Sequence, residues 1–145
     1  MYKNRYNLIC YNTYGGIDMN KYILDFLKDI MAIDSPSGYS KKVIHYCQKE
    51  AEKLGFQTKK THKGNLEIYV EGQDDYTIGF CGHVDTLGLM VRSIKSDGTL
   101  AFTNVGGPII PTLDGEYCRI HTRDGQCYTG TILSNYPAVH VYKDA

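Results

Sequence analysis

The amino-acid sequence predicts an α/β chain in two parts, a helix-containing α/β beginning and then an all-β stretch. Three observations carry this. Two early segments space their apolar residues helically, a later apolar run ends in His-x-Asp, and four short strand-like segments are then separated by glycine-containing turns. The change of texture sets the boundary between the two units near residue 92.

Residues 1–18 show no clear helical period and contain Tyr14-Gly15-Gly16, so they are expected to be a leader, either disordered or a misassigned start ahead of Met19. From Asn20, read as an N-cap, Ile23, Phe26, Leu27, Ile30 and Met31 recur at helix spacing and mark one buried face. Pro36 bars that helix from continuing. The Ser35-Pro36-Ser37-Gly38 turn leads to Ser40 as a second N-cap, after which Val43, Cys47, Ala51 and Leu54 repeat until Gly55 supplies a stop. Phe56 to His62, a Lys63-Gly64 turn and the alternating Leu66, Ile68 and Val70 predict a hairpin or two adjacent strands, and Tyr76 to Cys81 is apolar enough for a buried strand. Leu87 to Ile94, Leu100 to Val105, Glu116 to Thr122 and Gln126 to Leu133 follow as short strands, divided by Ser96-Asp97-Gly98, Gly106-Gly107-Pro108 and Asp124-Gly125. No helix pattern returns. An apolar-containing segment, Val139-His140-Val141-Tyr142, comes near the end of the chain.

With 145 residues, 42% of them hydrophobic, the chain can build one modest core or parts of two. Its 16 Lys and Arg balance 16 Asp and Glu, so no net field draws it to nucleic acid or to an anionic membrane. No eighteen apolar residues run together and the opening residues lack an apolar signal region, which predicts a cytoplasmic protein. The five cysteines, Cys10, Cys47, Cys81, Cys118 and Cys127, are scattered without a C-x-x-C pair and read as reduced thiols, with Cys47 and Cys81 as small hydrophobes.

The stretch with most chemical content is Gly79-Phe80-Cys81-Gly82-His83-Val84-Asp85, where the predicted buried strand ends in His-x-Asp. Active sites in open α/β sheets gather at such strand ends. In extended backbone His83 and Asp85 project to one side, so the carboxylate can hold one imidazole nitrogen and leave the other for a metal. His83 is therefore the candidate metal ligand and Asp85 the residue that orients it. The acidic pair Asp74-Asp75 is expected at a solvated hairpin tip. His45, His62 and His121 are expected at surface positions. For His140 a functional contact and a structural hydrogen bond both stay open.

Ser-Pro-Ser-Gly-Tyr at 35–39, Lys-Gly-Asn-Leu at 63–66, Gly-His-Val-Asp-Thr-Leu-Gly-Leu-Met-Val at 82–91, Gly-Gly at 106–107, Gly-Glu-Tyr-Cys at 115–118 and Tyr-Thr-Gly-Thr-Ile-Leu at 128–133 occur in that order. Together they resemble the tetrahedral aminopeptidase family, also called the glutamyl aminopeptidase or cellulase M family, across residues 19–145. One departure is Thr61-His62-Lys63, where the family often places an acidic residue before the Gly-Asn turn. The resemblance implies that residues 19–92 begin a zinc-peptidase α/β domain and that residues 93–145 begin an inserted β-barrel domain through which subunits assemble into a homo-oligomer. It also implies peptide substrates and two divalent metal ions, zinc or cobalt, which activate a water for attack on the first peptide bond. Of the family's metal ligands only His83 stands in this sequence. The chain is thus expected to be an incomplete, inactive fragment with at most partial metal binding. Two other readings are a non-catalytic module that binds peptides or sister subunits, and an endoglucanase, which would need paired carboxylates flanking a sugar cleft.

Overall fold

The structure is a computed structural model and describes residues 13–14, 17–73, 75–134 and 140. Its elements are strands β1 (Thr13–Tyr14) and β2 (Ile17–Asp18), helices α1 (Met19–Ala32) and α2 (Lys41–Lys53), then strands β3 (Gln57–Lys60), β4 (Leu66–Tyr69), β5 (Gly88–Ile94), β6 (Leu100–Val105), β7 (Tyr117–His121) and β8 (Cys127–Thr131). A single 3-10 turn, Ile110–Leu113, lies between β6 and β7. Each consecutive pair of strands forms its own two-stranded antiparallel sheet. The chain divides into two compact units, Met1–Gly106 and Gly107–Ala145. Residue 92 lies inside β5, so the hairpin β5–β6 falls wholly within the first unit.

Helix α1 is capped at Asp18, two residues before the expected Asn20. The Asp18 carboxylate accepts from the backbone N–H groups of Asn20 and Lys21 at 3.1 and 3.2 Å, which a charged acceptor at a helix N-terminus does well. The short β1–β2 pair, with Tyr14 opposite Ile17, delivers the chain to that cap, so part of the expected leader carries strand pairing; most of residues 1–18, Cys10 included, lies outside the described residues. The apolar stripe of α1 is only half used. Phe26 and Ile30 are half-buried, whereas Ile23, Leu27 and Met31 are exposed, correcting the expectation of one buried face. The stripe is wider than the single neighbouring helix α2 covers, and the covered side is marked by Phe26 stacking on Tyr46 at 5.9 Å between ring centroids.

Helix α2 holds the described apolar core, Val43 and Ala51, with Cys47 half-buried between them and burial pushing its thiol pKa up. Ser40 caps it by position but without a side-chain hydrogen bond. Its end is a Schellman motif: Phe56 N–H reaches the Ala51 carbonyl at 3.1 Å, Gly55 N–H reaches Glu52 at 3.0 Å, and Gly55 takes the left-handed φ of 86° that this closure requires.

Hairpin β3–β4 pairs Gln57 with Tyr69 through Lys60 with Leu66, closing at the expected Lys63-Gly64 turn. Hairpins β5–β6 and β7–β8 likewise close at Asp97-Gly98 and Asp124-Gly125. In β5 the register slips by one residue between Val91 and Ser93, leaving Arg92 as a bulge. Among the described residues, the predicted strand Tyr76 to Cys81 has no strand pairing and lies exposed, Phe80 by 95%. Its apolar composition is right for burial, but no described element pairs with it. Cys81 is accordingly exposed rather than a core hydrophobe.

Candidate functional site

The His-x-Asp motif lies just before β5 in a stretch that is neither helix nor strand, and the first unit fastens it at one place. The turn after α1 lies alongside it: Thr86 N–H donates to the Ser35 carbonyl at 2.9 Å, Ser35 Oγ–H donates to the Val84 carbonyl at 3.0 Å, and Pro36 and Thr86 form a parallel bridge. Ser35 is fully buried and has its polar group satisfied there. The approach is close enough that a Cβ on Gly88 would sit 2.6 Å from the Pro36 Cβ, so glycine is required at 88.

Held this way, His83 Nδ1 lies 3.0 Å from Asp85 Oδ1 and 3.2 Å from the Asp85 carbonyl oxygen. The hydroxyl of Ser37 donates to the other carboxylate oxygen, Oδ2. This bond first, and the His83 contact second, holds the Asp85 carboxyl below its usual pKa, so it stays an acceptor. With only acceptors beside Nδ1, the proton belongs on Nδ1 and the lone pair on Nε2, the form in which an imidazole binds a metal. The His83 side chain is 84% exposed and Asp85 38%. Both border an open groove of about 690 Å³, whose other walls include Phe26, Leu54, Phe56 and Leu66.

The donor set fits one ligand position of a metal centre and no more: among the described residues no three His, Cys, Asp or Glu side chains are grouped to hold an ion. Asp75 is exposed as expected of a hairpin tip, and Asp74 lies outside the described residues. His45 and His62 are exposed, whereas His121 on β7 is half-buried and so less superficial than its charged surroundings suggest. His140 is exposed, and its neighbours Val139, Val141 and Tyr142 lie outside the described residues. Reading the sequence missed Ser37 as a site residue. The signal was present, since Ser-Pro-Ser-Gly was visible, but nothing in it says that the turn packs on a motif 48 residues away.

Residues 64–145, more than half of the chain, match the family model of the M42 glutamyl aminopeptidases. The chain belongs to that family. Among similar proteins, YhfE of Bacillus subtilis (strain 168), which carries an aminopeptidase name, is 41% identical over 123 residues, 84% of this chain and 36% of its own length. The glutamyl aminopeptidase of Lactococcus lactis subsp. cremoris (strain MG1363) is 27% identical over 106 residues, 72% of this chain and 30% of its own. The chain therefore spans about a third of the length of these relatives. Two solved structures share its mixed α/β fold. The TET aminopeptidase of Thaumarchaeota archaeon SCGC AB-539-E09 superposes with a TM-score of 0.72 at 27% identity, over 79% of this chain and 32% of that one. The Pyrococcus horikoshii TET1 peptidase, which can assemble into a tetrahedron or a large octahedral shell, gives 0.69 at 28% identity, over 84% and 36%. No helix among the described residues is long and apolar enough to cross a membrane.

Proposed function

We propose that this chain carries the first metal-ligand motif of an aminopeptidase that removes N-terminal residues from peptides. The observation that supports it is the His83–Asp85 pair, arranged to present a deprotonated Nε2 in a chain of M42 membership. Bound in part by His83, a pair of divalent ions, zinc or cobalt, would supply an activated water for attack on the first peptide bond. Asp85 keeps the imidazole in its ligating tautomer and turned toward the groove. The remaining ligands and the proton-transferring glutamate would come from sequence other than these 145 residues, because one imidazole cannot hold a metal pair. In the same reading residues 19–92 begin the peptidase domain, residues 93–145 begin an inserted β-barrel through which copies assemble, and the protein works in the cytoplasm as a homo-oligomer. The assembling TET relative supports the oligomeric part.

The test is made on metal content and turnover together. In the active protein, His83→Ala should lose bound zinc and nearly all hydrolysis of aminoacyl anilides, and Asp85→Asn should weaken metal binding by about ten- to a hundredfold. Unchanged metal in both variants would end this reading. The isolated 145-residue chain should show no turnover, and chelator-sensitive activity that survives repurification would contradict it.

A further inference from the structure

We propose that Ser37 is a positioning residue for the metal-binding imidazole: by holding Asp85 Oδ2 it fixes the carboxylate that in turn fixes His83. The inference rests on the reading of His83 as a metal ligand.

A carboxylate bonded only to the imidazole two residues away would not fix that imidazole. The two side chains leave the same short stretch of backbone, and a single contact between them lets both side chains swing together, each still satisfied. Fixing the pair in space needs a bond from a different element to the oxygen the histidine does not use. Ser37 supplies that bond from the turn between α1 and α2. Its own place is set independently. Tyr39 N–H closes the turn on the Pro36 carbonyl at 2.7 Å, and Ser35 ties the turn to Val84 and Thr86 through two hydrogen bonds. Pro36 stiffens the residue between them.

The two serines divide the task. The backbone attachment of the turn to the motif is complete with Ser35, which is buried and bonds only to backbone there. The Ser37 hydroxyl adds nothing to that attachment and is directed at the carboxylate. A residue needed only for folding would be expected at the first position; the second has a consequence for the imidazole alone. Outer partners of this kind change metal affinity measurably while leaving the fold intact.

The experiment follows the His83 ring nitrogens by 15N NMR in the metal-free protein and zinc affinity by competition with a chromophoric chelator, for Ser37→Ala, Ser37→Thr and His83→Ala. Exchange of the Thr86 amide, bonded to Ser35, reports whether the turn stays attached. The expected result for Ser37→Ala is a smaller Nδ1–H fraction and zinc affinity reduced by about tenfold, with Thr86 protected as in the parent; Ser37→Thr, which keeps the hydroxyl, restores both. A Ser37→Ala protein with the parent's tautomer ratio and affinity overturns the proposal, as does a defect that Ser37→Thr leaves unrepaired. If His83→Ala binds zinc normally, the metal-ligand reading fails, and Ser37 as its positioning residue fails with it. If His83→Ala loses zinc while Ser37→Ala matches the parent, only Ser37's role fails.

Discussion

Hairpin β5–β6 and the segment just before it are both rich in apolar residues, yet one is paired at every position but Arg92 and the other is held at a single point. Each residue of β5 and β6 except the bulged Arg92 finds its partner across a Ser-Asp-Gly turn, none farther away in sequence than Gly88 is from Val105. Residues 75–85 have no strand partner among those described, and the site at their end depends on a turn 48 residues earlier in sequence. Local pairing is decided by local chemistry, because the turn brings the strands together with little loop-closure entropy. A distant contact must instead be specified by shape, and here that shape is the glycine at 88 that admits Pro36.

The largest effect should come from breaking the distant contact. Gly88→Ala places a methyl 2.6 Å from the Pro36 Cβ, a rigid ring atom that cannot turn aside. Denaturant unfolding should show a loss of about 1–3 kcal/mol, together with faster exchange of the Thr86 amide. An unchanged midpoint would mean that the turn is not packed on the motif. A smaller loss, roughly 1–2 kcal/mol, is expected for Gly98→Ala, which forces a side chain into a φ of 84° at the hairpin turn. Its damage should stay within β5–β6; if the Thr86 amide responds as strongly as it does to Gly88→Ala, the two regions are not energetically separate.

At the α1–α2 contact Tyr46 Oη–H donates to Asp29 at 2.6 Å and the pKa of its phenol is pushed up to about 12, chiefly by that bond. The neutral phenol is the bonded form, so its stabilisation is complete below about pH 10, the unfolded value, and is lost as pH rises through about 12. Tyr46→Phe should remove this alkaline component from the unfolding profile, and an identical profile would show that the bond contributes nothing. The smallest effect belongs to Asp97, whose carboxyl is held below its usual pKa by the hydroxyl and N–H of Thr99. A depressed carboxyl stabilises above the ordinary carboxylate range, and that support fades as pH falls through the lowered value. Amide protection in the β5–β6 turn, taken relative to the intrinsic exchange rate at each pH, should therefore fall in acid, and Asp97→Asn should flatten the response.

The same division explains what could be read from the sequence. The helices, the three later hairpins and their glycine turns are written in short-range periodicity, and they stand within a residue or two of where Ser40, Gly55, Gly64, Gly98 and Gly125 put them. The cap of α1 was misplaced because Asn20 and Asp18 are both good acceptors, and only the geometry shows which one reaches the free N–H groups. His83 and Asp85 were legible because their spacing is itself local. Ser37 was not, because what makes it part of the site is a contact no periodicity encodes. Tyr76 to Cys81 reads as buried because composition records what a segment is suited to, whereas its exposure depends on which neighbours are present.

The bulge at Arg92 works as a phase shifter. Before it, Leu89 and Val91 share a face with Asn104 and Phe102; after it, Ile94 pairs with Leu100. Because Leu100 and Phe102 lie on one side of β6, the extra residue brings Ile94 to the side of Leu89 and Val91. An uninterrupted strand would have put Ser93 and Lys95 there instead. Deleting Arg92 would therefore keep Ser93 opposite Ala101 and Ile94 opposite Leu100 and remove only the bulge, whereas drawing Arg92 into regular pairing would exchange the apolar and polar sides of everything between it and the turn.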